Sequence, residues 1–297
     1  MASVNPLERG SLFPPELVRE LVNKVSGHSA LAKLSNERPI GFNGAKEMVF
    51  DMPNEMEIVG ESGAKSHGGI TVTPTTIIPI KFVYGARVSD EFMYAAEAER
   101  LETLRTFADG FAKKSAKALD LAAIHGVNPR TGSSSAVVNG NDFDHIVTST
   151  VQATAQGSVA ADLETAVLNV QAAGHDVTGI AMAPAFASAM GQVTGNGVPL
   201  YPQFQFGQTP DNFAGLGIDV NTTVGAVDSA IVGNFEDYFR WGFAKEVPVE
   251  VIRYGDPDNS GKDLRGYNQV YIRAEIYIGW GILDKTAFCR ILPVASA

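Results

Sequence analysis

The longest helical pattern of apolar and polar positions runs from Ser89 to Gly126. Apolar side chains recur there about every 3.6 residues, which places them on one face of an α-helix. They are Phe92, Ala96, Leu104, Phe107, Phe111, Ala118 and Ala122. Ser89 or Asp90 can cap the first turn, and Gly126 followed by Pro129 predicts the end. The pattern therefore predicts a helix of about 35 residues, roughly 50 Å long, which is typical of a strut.

Residues 53–88 show the two-residue alternation of β-strands instead. Two predicted arms, Glu55–Val59 and Ile70–Val88, flank a glycine-rich tip, Gly60–Gly69, which is too polar to pack inside a core. The segment is therefore predicted to be a long two-stranded ribbon. Because such a ribbon alone is only marginally stable in water, we expect it to lie on another surface, often that of another subunit.

Shorter elements are predicted on both sides of these two segments. Before them we expect an extended arm, a helix at Glu16–Val25 that begins after two prolines, and a strand at Lys46–Met52. After the long helix, Asn128–Gly140 and Gly191–Phe213 are predicted to be irregular loops. The remaining predictions are helices at Ala160–Ala173 and Pro184–Met190, and strands at Val177–Ala183, Ile218–Val220, Ala230–Gly233, Val247–Tyr254, Gln269–Trp280 and Ala287–Leu292.

The distribution of charge divides the chain of 297 residues into parts. No lysine or arginine occurs between Thr131 and Phe239, where ten acids carry the whole net charge of −10. The 23 acids elsewhere balance all 23 basic residues. We therefore predict boundaries near residues 131 and 240. The acidic part cannot bind nucleic acid by releasing counterions from phosphates, and the simplest interpretation is a solvated acidic surface.

The sequence contains few signs of catalytic, metal or cofactor chemistry. The patterns G-x-S-x-G, G-x-G-x-x-G, H-E-x-x-H and the P-loop are absent, so we predict no enzyme activity and no cofactor. No two of the five histidines have metal-ligand spacing, and we predict no metal site; they are His28, His67, His125, His145 and His175. Cys289 is alone, which excludes an internal disulfide, and it is expected to be a buried, inert thiol. No run approaches 18 apolar residues, so no membrane span is predicted.

One acidic segment imitates the first half of a calcium-binding loop. Asp256, Asp258 and Ser260 alternate before Gly261, but the twelfth position of that pattern is Tyr267, where a bidentate glutamate is required. We interpret the segment as a turn between strands.

The order of these parts resembles the major capsid proteins of tailed bacteriophages, whose fold is shared with encapsulin shells. Three stretches carry the resemblance: the loop-to-helix run Ile58–Asp90, SAKALDLAAIHGVNPRTG at 115–132, and VYIRAEIYIGWGILDKTAFCRIL at 270–292. The resemblance implies an α+β fold in which a peripheral domain holds a long spine helix and an axial domain is inserted. Its parts would be an N-terminal arm (1–45), an extended β-loop (46–88), the peripheral domain (89–130 and 246–297) and the axial domain (131–245).

The resemblance also implies a function and partners. Hexamers and pentamers of the chain would form an icosahedral shell in the virion, assembled in the host cytoplasm, around double-stranded DNA held without sequence-specific contacts. A portal is expected, and a separately encoded scaffolding protein, because no extra helical segment precedes the arm; no membrane is involved. Two alternatives stay open: an encapsulin-like compartment shell and a soluble enzyme.

Some members of the family join neighbouring subunits by an isopeptide bond. The matching residues here are Lys65 as nucleophile, Asn268 as acceptor and Glu275, seven residues further on, as base. A lysine must lose its proton to attack, and a glutamate in a dry pocket can accept it. Strand alternation would place Asn268 and Glu275 on opposite faces unless a bulge intervenes. The alternative is that Lys65 is solvated and Glu275 pairs with a neighbouring arginine.

Overall fold

The computed structural model describes residues 25, 27–52, 54–91, 97–153, 159–245 and 249–294. The predicted helix Glu16–Val25 lies outside these ranges except for its last residue. Phe92 and Ala96 of the predicted long helix lie outside them as well.

The described residues form a mixture of helices and strands. The helices are α1 Ala30–Leu34, α2 Glu97–His125, α3 Phe143–Ile146, α4 Val159–Ala172, α5 Pro184–Gly191 and α6 Phe235–Tyr238. The strands are β1 Ala45–Asp51, β2 Thr71–Ile77, β3 Ile80–Ser89, β4 Thr150–Gln152, β5 Gly179–Met182, β6 Thr194–Gly195, β7 Val198–Pro199, β8 Asn212–Phe213, β9 Leu216–Val220, β10 Ala230–Gly233, β11 Phe239–Lys245, β12 Val249–Ile252, β13 Gln269–Ile282 and β14 Phe288–Leu292. None of the described helices is long and apolar enough to cross a membrane.

Strands β1 and β2 form a two-stranded ribbon as predicted, but both of its arms differ from the prediction. They pair antiparallel from Ala45 opposite Ile77 to Asp51 opposite Thr71. The second predicted arm, Ile70–Val88, divides into β2, which pairs with β1, and β3, which pairs with β13. The prediction that Glu55–Val59 is the first arm is wrong, because β1 occupies the pairing edge of β2 over the whole length of that strand. Glu55–Val59 instead lies in the loop that connects the two strands.

The long helix α2 is confirmed over Glu97–His125, and the residues just before it, 92–96, lie outside the described ranges. Ser89 is the last residue of β3 and pairs with Gln269, and its Oγ accepts the N–H of Glu91 at 3.3 Å. Helix α2 is described over 29 residues, or about 44 Å. Its predicted end is confirmed, since Gly126 has a φ of +64° and donates its N–H to the carbonyl of Ala122 at 3.0 Å.

Helix α2 packs on an antiparallel sheet built around β13. Strand β3 pairs with one edge of β13, and β11 and β12 pair with the other. Alternate β13 residues are buried, and Ala274, Ile276 and Ile278 share a hydrophobic cluster with the apolar face of α2. This face of β13 therefore supports the long helix.

Strand β11, which the sequence pattern did not predict, is also held by the segment that precedes the ribbon. Arg38 donates its backbone N–H to the carbonyl of Trp241 at 2.9 Å. A side chain at Gly242 is excluded, because a Cβ there would lie 1.8 Å from the carbonyl oxygen of Arg38. The segment around Arg38 consequently runs directly over this glycine.

A second, mixed sheet has six strands in the order β4-β14-β10-β5-β9-β8. Strand β14 pairs parallel with β4, and β5 pairs parallel with β9; the other pairs are antiparallel. Helices α4 and α5 bury Leu163, Val170 and Phe186 in the same cluster as Ile180 and Val232 of this sheet. Six elements of this part lie within about two residues of their predicted bounds, which is the usual uncertainty of element boundaries. They are helices α4 and α5 and strands β5, β9, β10 and β14, and these predictions are confirmed.

Candidate functional site

The β1–β2 ribbon presents an apolar face to solvent. Met48 pairs with Pro74 and Phe50 with Val72, so these four side chains share one face. Phe50 is 64% exposed and Met48 60% exposed. Side chains of this size normally lie in a core, and a contiguous exposed apolar face marks an interaction surface.

The loop that joins the two strands extends this apolar surface. Asn54 accepts the N–H of Gly69 through Oδ1 at 3.0 Å and holds the two ends of the loop together. Met56 and Ile58 are fully exposed beyond that contact. We call residues 45–77, with their exposed apolar side chains, the assembly ribbon.

The three predicted cross-link residues lie apart within one subunit. Lys65 is exposed in the connecting loop, and Asn268 is exposed just before β13, with a φ of +52°. Glu275 lies within β13, roughly 20 Å from Asn268 at about 3.3 Å per residue. Its carboxylate contacts Lys81 Nζ at 2.8 Å and Arg273 Nε at 3.6 Å. The structure therefore does not bring the three side chains together in a single chain.

The calcium-like segment surrounds an arginine from β3. Arg87 donates to Asp258 from Nε at 2.8 Å and to Asp256 from Nη2 at 2.6 Å, and Ser260 accepts a further bond at 2.5 Å. The hydrogen bonds from Arg87 lower the pKa of Asp258 below its usual range. The guanidinium group of Arg87 thus supplies the positive charge that balances the two aspartates. The interpretation of the segment as a turn is confirmed, because it connects β12 and β13.

Four charged side chains from distant parts of the sequence meet below the end of α2. His125 Nδ1 lies 2.9 Å from Asp144 Oδ2, and Arg290 of β14 donates to Asp228 from Nε and Nη2 at 2.9–3.1 Å. Arg290 Nη2 also lies 2.6 Å from Asp144 Oδ1, in an ion-pair contact whose angles do not make a hydrogen bond. The two carboxylates are therefore joined by one guanidinium group.

Sequence reasoning missed this cluster. Ligand atoms of His125, Asp144 and Asp228 lie within 4.8 Å of one another, a set of a type that can hold a divalent cation. In this cluster the guanidinium of Arg290 binds both carboxylates and supplies the positive charge. The one sequence feature that pointed to this cluster was the charged Arg290 inside the apolar strand FCRIL. The cluster residues are far apart in the sequence, so their spacing could not reveal it.

Burial and charge shift the pKa values in this cluster. Burial raises the pKa of Asp228 to about 6, although the hydrogen bonds from Arg290 oppose the shift. Burial opposes the positive form of His125, but the hydrogen bond and charge of Asp144, together with further contacts, outweigh it and raise the His125 pKa. Both shifts mean that Asp228 and His125 bind their protons more tightly in the folded chain than in the unfolded chain.

Asp120 of α2 extends the cluster to α1. Its buried carboxylate accepts Ser29 Oγ at 2.5 Å, the N–H groups of Ala30 and Leu31 at 3.0 and 3.3 Å, and Thr223 Oγ1 at 2.9 Å. Burial raises its pKa to about 6 against these hydrogen bonds. The carbonyl of Thr223 in turn lies 2.9 Å from His125 Nε2. We call this set the buried polar network: Ser29, Asp120, His125, Asp144, Thr223, Asp228 and Arg290.

The structure combines a long helix packed on a sheet with a ribbon that exposes its apolar face. This combination is typical of a structural subunit whose exposed face is covered on assembly. The model of the phage capsid family matches residues 9–291, and the chain belongs to this family. It is a major capsid protein of the tailed-phage type, located in the virion capsid. The predicted α+β capsid fold is confirmed.

Solved structures show the same fold. A chain from Mycobacterium phage Ogopogo is 34% identical, with 90% of this chain and 92% of that chain covered and a TM-score of 0.76. A chain from Gordonia phage Cozz is 24% identical, with 90% and 86% covered and a TM-score of 0.73. A third chain, from the capsid of an empty GTA particle computed with C5 symmetry, is 16% identical, with 90% of each chain covered and a TM-score of 0.64. No curated protein matches the chain.

Proposed function

We propose that this capsid protein assembles as hexamers and pentamers into an icosahedral shell that encloses the double-stranded DNA genome of a tailed phage. The observation that carries the proposal is the assembly ribbon, whose apolar face is left uncovered by the described residues of its own subunit. In a chain of the phage capsid family, the natural cover is a neighbouring copy.

The ribbon would lie across that neighbour. Fully burying an aromatic side chain such as Phe50 contributes about 1.5–3 kcal/mol, so a face of four such positions gives a moderate contact. Closure over many copies multiplies the moderate contacts into a resistant shell. One subunit can serve both ring sizes if the ribbon and arm bend while the packed body stays rigid.

The acidic middle part of the chain, residues 131–245, is proposed as the axial domain, with the peripheral domain formed by 89–130 and 246–297. Pairing of β14 with β4 and β10 means that the C-terminal segment also contributes a strand to the sheet of the middle part. Two of the ten acids, Asp144 and Asp228, are paired with Arg290 inside the subunit, and the others would repel one another if they gathered around one axis. Low salt is therefore expected to weaken the rings. Shells that are equally stable at low sodium and with added magnesium would contradict the clustering of these acids around the ring axis.

The wider partners follow from the same proposal. Assembly in the host cytoplasm would use a separately encoded scaffolding protein and a portal. We propose that the DNA is held without sequence-specific contacts, and the absence of lysine and arginine between Thr131 and Phe239 would make that part neutral or weakly repulsive to phosphates.

The isopeptide cross-link through Lys65, Asn268 and Glu275 is a separate hypothesis. Lys65 is accessible, but the carboxylate of Glu275 is engaged by Lys81 at 2.8 Å and would have to exchange that partner to act as base. Boiled particles should show ladders on a denaturing gel, and Lys65→Arg should abolish them. A single band near 31.6 kDa from wild-type particles would contradict the hypothesis.

Electron microscopy of the purified chain tests the shell directly. The expected result is closed particles whose images contain fivefold and sixfold rings. A monomer at high protein concentration, with the ribbon folded onto its own body, would overturn the proposal.

A further inference from the structure

The segment between α5 and β9 carries an exposed aromatic side chain on a firmly anchored turn. Within it, Phe204 is buried and its ring centroid lies 5.3 Å from that of Phe213. Tyr201 also contacts Phe213, at 5.6 Å. Two residues after Phe204, the side chain of Phe206 is 99% exposed. The turn therefore has an aromatic base and an aromatic tip.

The backbone at the tip holds Phe206 outward. Phe206 has φ +57° and ψ +30°, a left-handed conformation that is rare for a bulky residue, and Gly207 follows with φ +74°. Gln205 donates from Nε2 to the carbonyl of Gly191 at 3.0 Å and fixes the turn to the end of α5. A Cβ at Gly191 would lie 2.9 Å from the carbonyl carbon of Phe204, so helix and turn are in close contact. Strained conformations of this kind persist where the surroundings enforce them, often at functional surfaces.

A pocket of about 410 Å³ opens beside the tip. It is lined by Ser188 and Gly191 of α5, by Gln192 and Thr194, and by the turn itself from Phe204 to Phe206. Its volume lies within the range of pockets that enclose small ligands, so it has room for an aromatic ring. The molecule thus presents a projecting ring and a receptacle side by side on one surface.

The charge around this surface indicates its partner. No charged residue occurs from residue 177 to residue 210, although this stretch lies inside the part of the chain that carries ten acids and no cation up to Phe239. Copies that meet through the acidic part repel each other, and the repulsion is weakest where an uncharged stretch forms the contact and keeps the acids further apart. A nucleic acid would find no cation there. A second copy of this chain therefore suits the surface better than a charged partner.

We propose that Phe206 of one subunit inserts into the pocket at the end of α5 in the next subunit around each ring. The contact is heterologous, because projection and pocket are different parts of one surface, and repeated heterologous contacts close into rings. This proposal rests on the ring assembly proposed above and assigns residues to it.

Photo-cross-linking tests the contact while retaining an aromatic ring. The full chain with p-benzoylphenylalanine in place of Phe206 is assembled and irradiated. We expect ladders up to the size of a ring on a denaturing gel, with the attachment mapped to residues 188–194 of another copy. Attachment to position 206 of another copy, to a different protein, or to no other chain in intact shells would overturn the proposal.

A pair of substitutions on α5 gives an independent test. Ser188→Trp fills the pocket, whereas Ala185→Trp adds the same bulk at an exposed position of α5 that does not line it. We expect S188W and Phe206→Ser to reduce the yield of shells about tenfold, the effect of one lost moderate contact, while A185W assembles like the wild type. Circular dichroism of each variant verifies folding. If folded S188W and F206S gave as many shells as the wild type, the proposed contact would be overturned. The shell function would still stand in that case, provided that the wild-type protein forms closed particles in the microscope.

Discussion

The buried polar network and the assembly ribbon differ in where their partners lie. In the network, Asp120 accepts four hydrogen bonds and Arg290 joins Asp144 to Asp228, all within one subunit. In the ribbon, Met48 and Phe50 are more than half exposed, although they are large apolar side chains. The network therefore finds its partners within one chain, whereas the described residues leave the apolar face of the ribbon uncovered.

This difference separates two kinds of mutational effect. Changes in the network should lower the free energy of unfolding of one subunit, because a buried charge loses its partner. Changes in the ribbon should leave that free energy almost unaltered and act on the association of subunits. The four predictions below are ordered by their expected effect on the free energy of unfolding.

The largest loss is expected from Arg290→Met. Removing the guanidinium leaves the buried carboxylate of Asp228 without its cation and beside Asp144, which keeps His125, at a cost of about 3–5 kcal/mol. Urea unfolding of the unassembled subunit measures it. Adding Asp228→Asn to R290M removes the unpaired charge and should restore part of the loss. An R290M subunit as stable as the wild type would show that the network does not hold the fold.

A smaller loss is expected from Gly242→Ala in β11. The added methyl group meets the backbone of Arg38, not a flexible side chain, so strand or segment must shift, at about 1–3 kcal/mol. Gly266→Ala is the matched control, since its Cβ would have 3.9 Å to the nearest atom. Equal urea midpoints for the two variants would contradict the close packing of the segment against β11.

The network also predicts an unusual pH dependence. Asp120 has a pKa of about 6 in the folded chain against an ordinary value of 3.8, so the folded state binds the proton more tightly. Its contribution to stability grows as pH falls through about 6 and is complete below about 4. The free energy of unfolding should therefore be about 1 kcal/mol higher at pH 5 than at pH 7. The raised pKa values of Asp228 and His125 act in the same direction.

Urea unfolding of the subunit at pH 7 and pH 5 measures this effect. Asp120→Asn cannot titrate, so the gain between the two pH values should shrink, whatever the absolute stability of the variant. An undiminished gain in D120N would assign the pH dependence to other groups.

The smallest effect on unfolding is expected from Phe50→Ser in the ribbon. Because Phe50 is 64% exposed, the free energy of unfolding should change by no more than about 0.5 kcal/mol. Shell formation, followed by sedimentation and electron microscopy, should fall strongly. Lys46→Ser, a polar position of the same strand, is the control. Normal shells from F50S would show that the apolar ribbon face is not an assembly contact.

Local patterns predicted the elements well where one residue type decides the conformation. Gly126 ends α2 because it adopts a positive φ, and Pro184 opens α5 as predicted. The pairing of Ser89 with Gln269 across the sheet was not predicted, because the helical pattern around Ser89 records only its neighbours along the chain. The first arm of the ribbon was misplaced for a similar reason, since β1 rather than Glu55–Val59 takes the edge of β2.

The sequence by itself determined the long helix, the ribbon with its marginal stability, the charge division and the resemblance to phage capsid proteins. These features depend on neighbours along the chain, which periodicity and composition record. Only the tertiary structure decided that Arg87 fills the acidic turn, that Arg290 meets Asp228 and Asp144, and that Phe206 stands exposed beside a pocket. Such contacts join residues that are far apart in the chain, and the free energy that selects them comes from burial and charge compensation in the folded molecule.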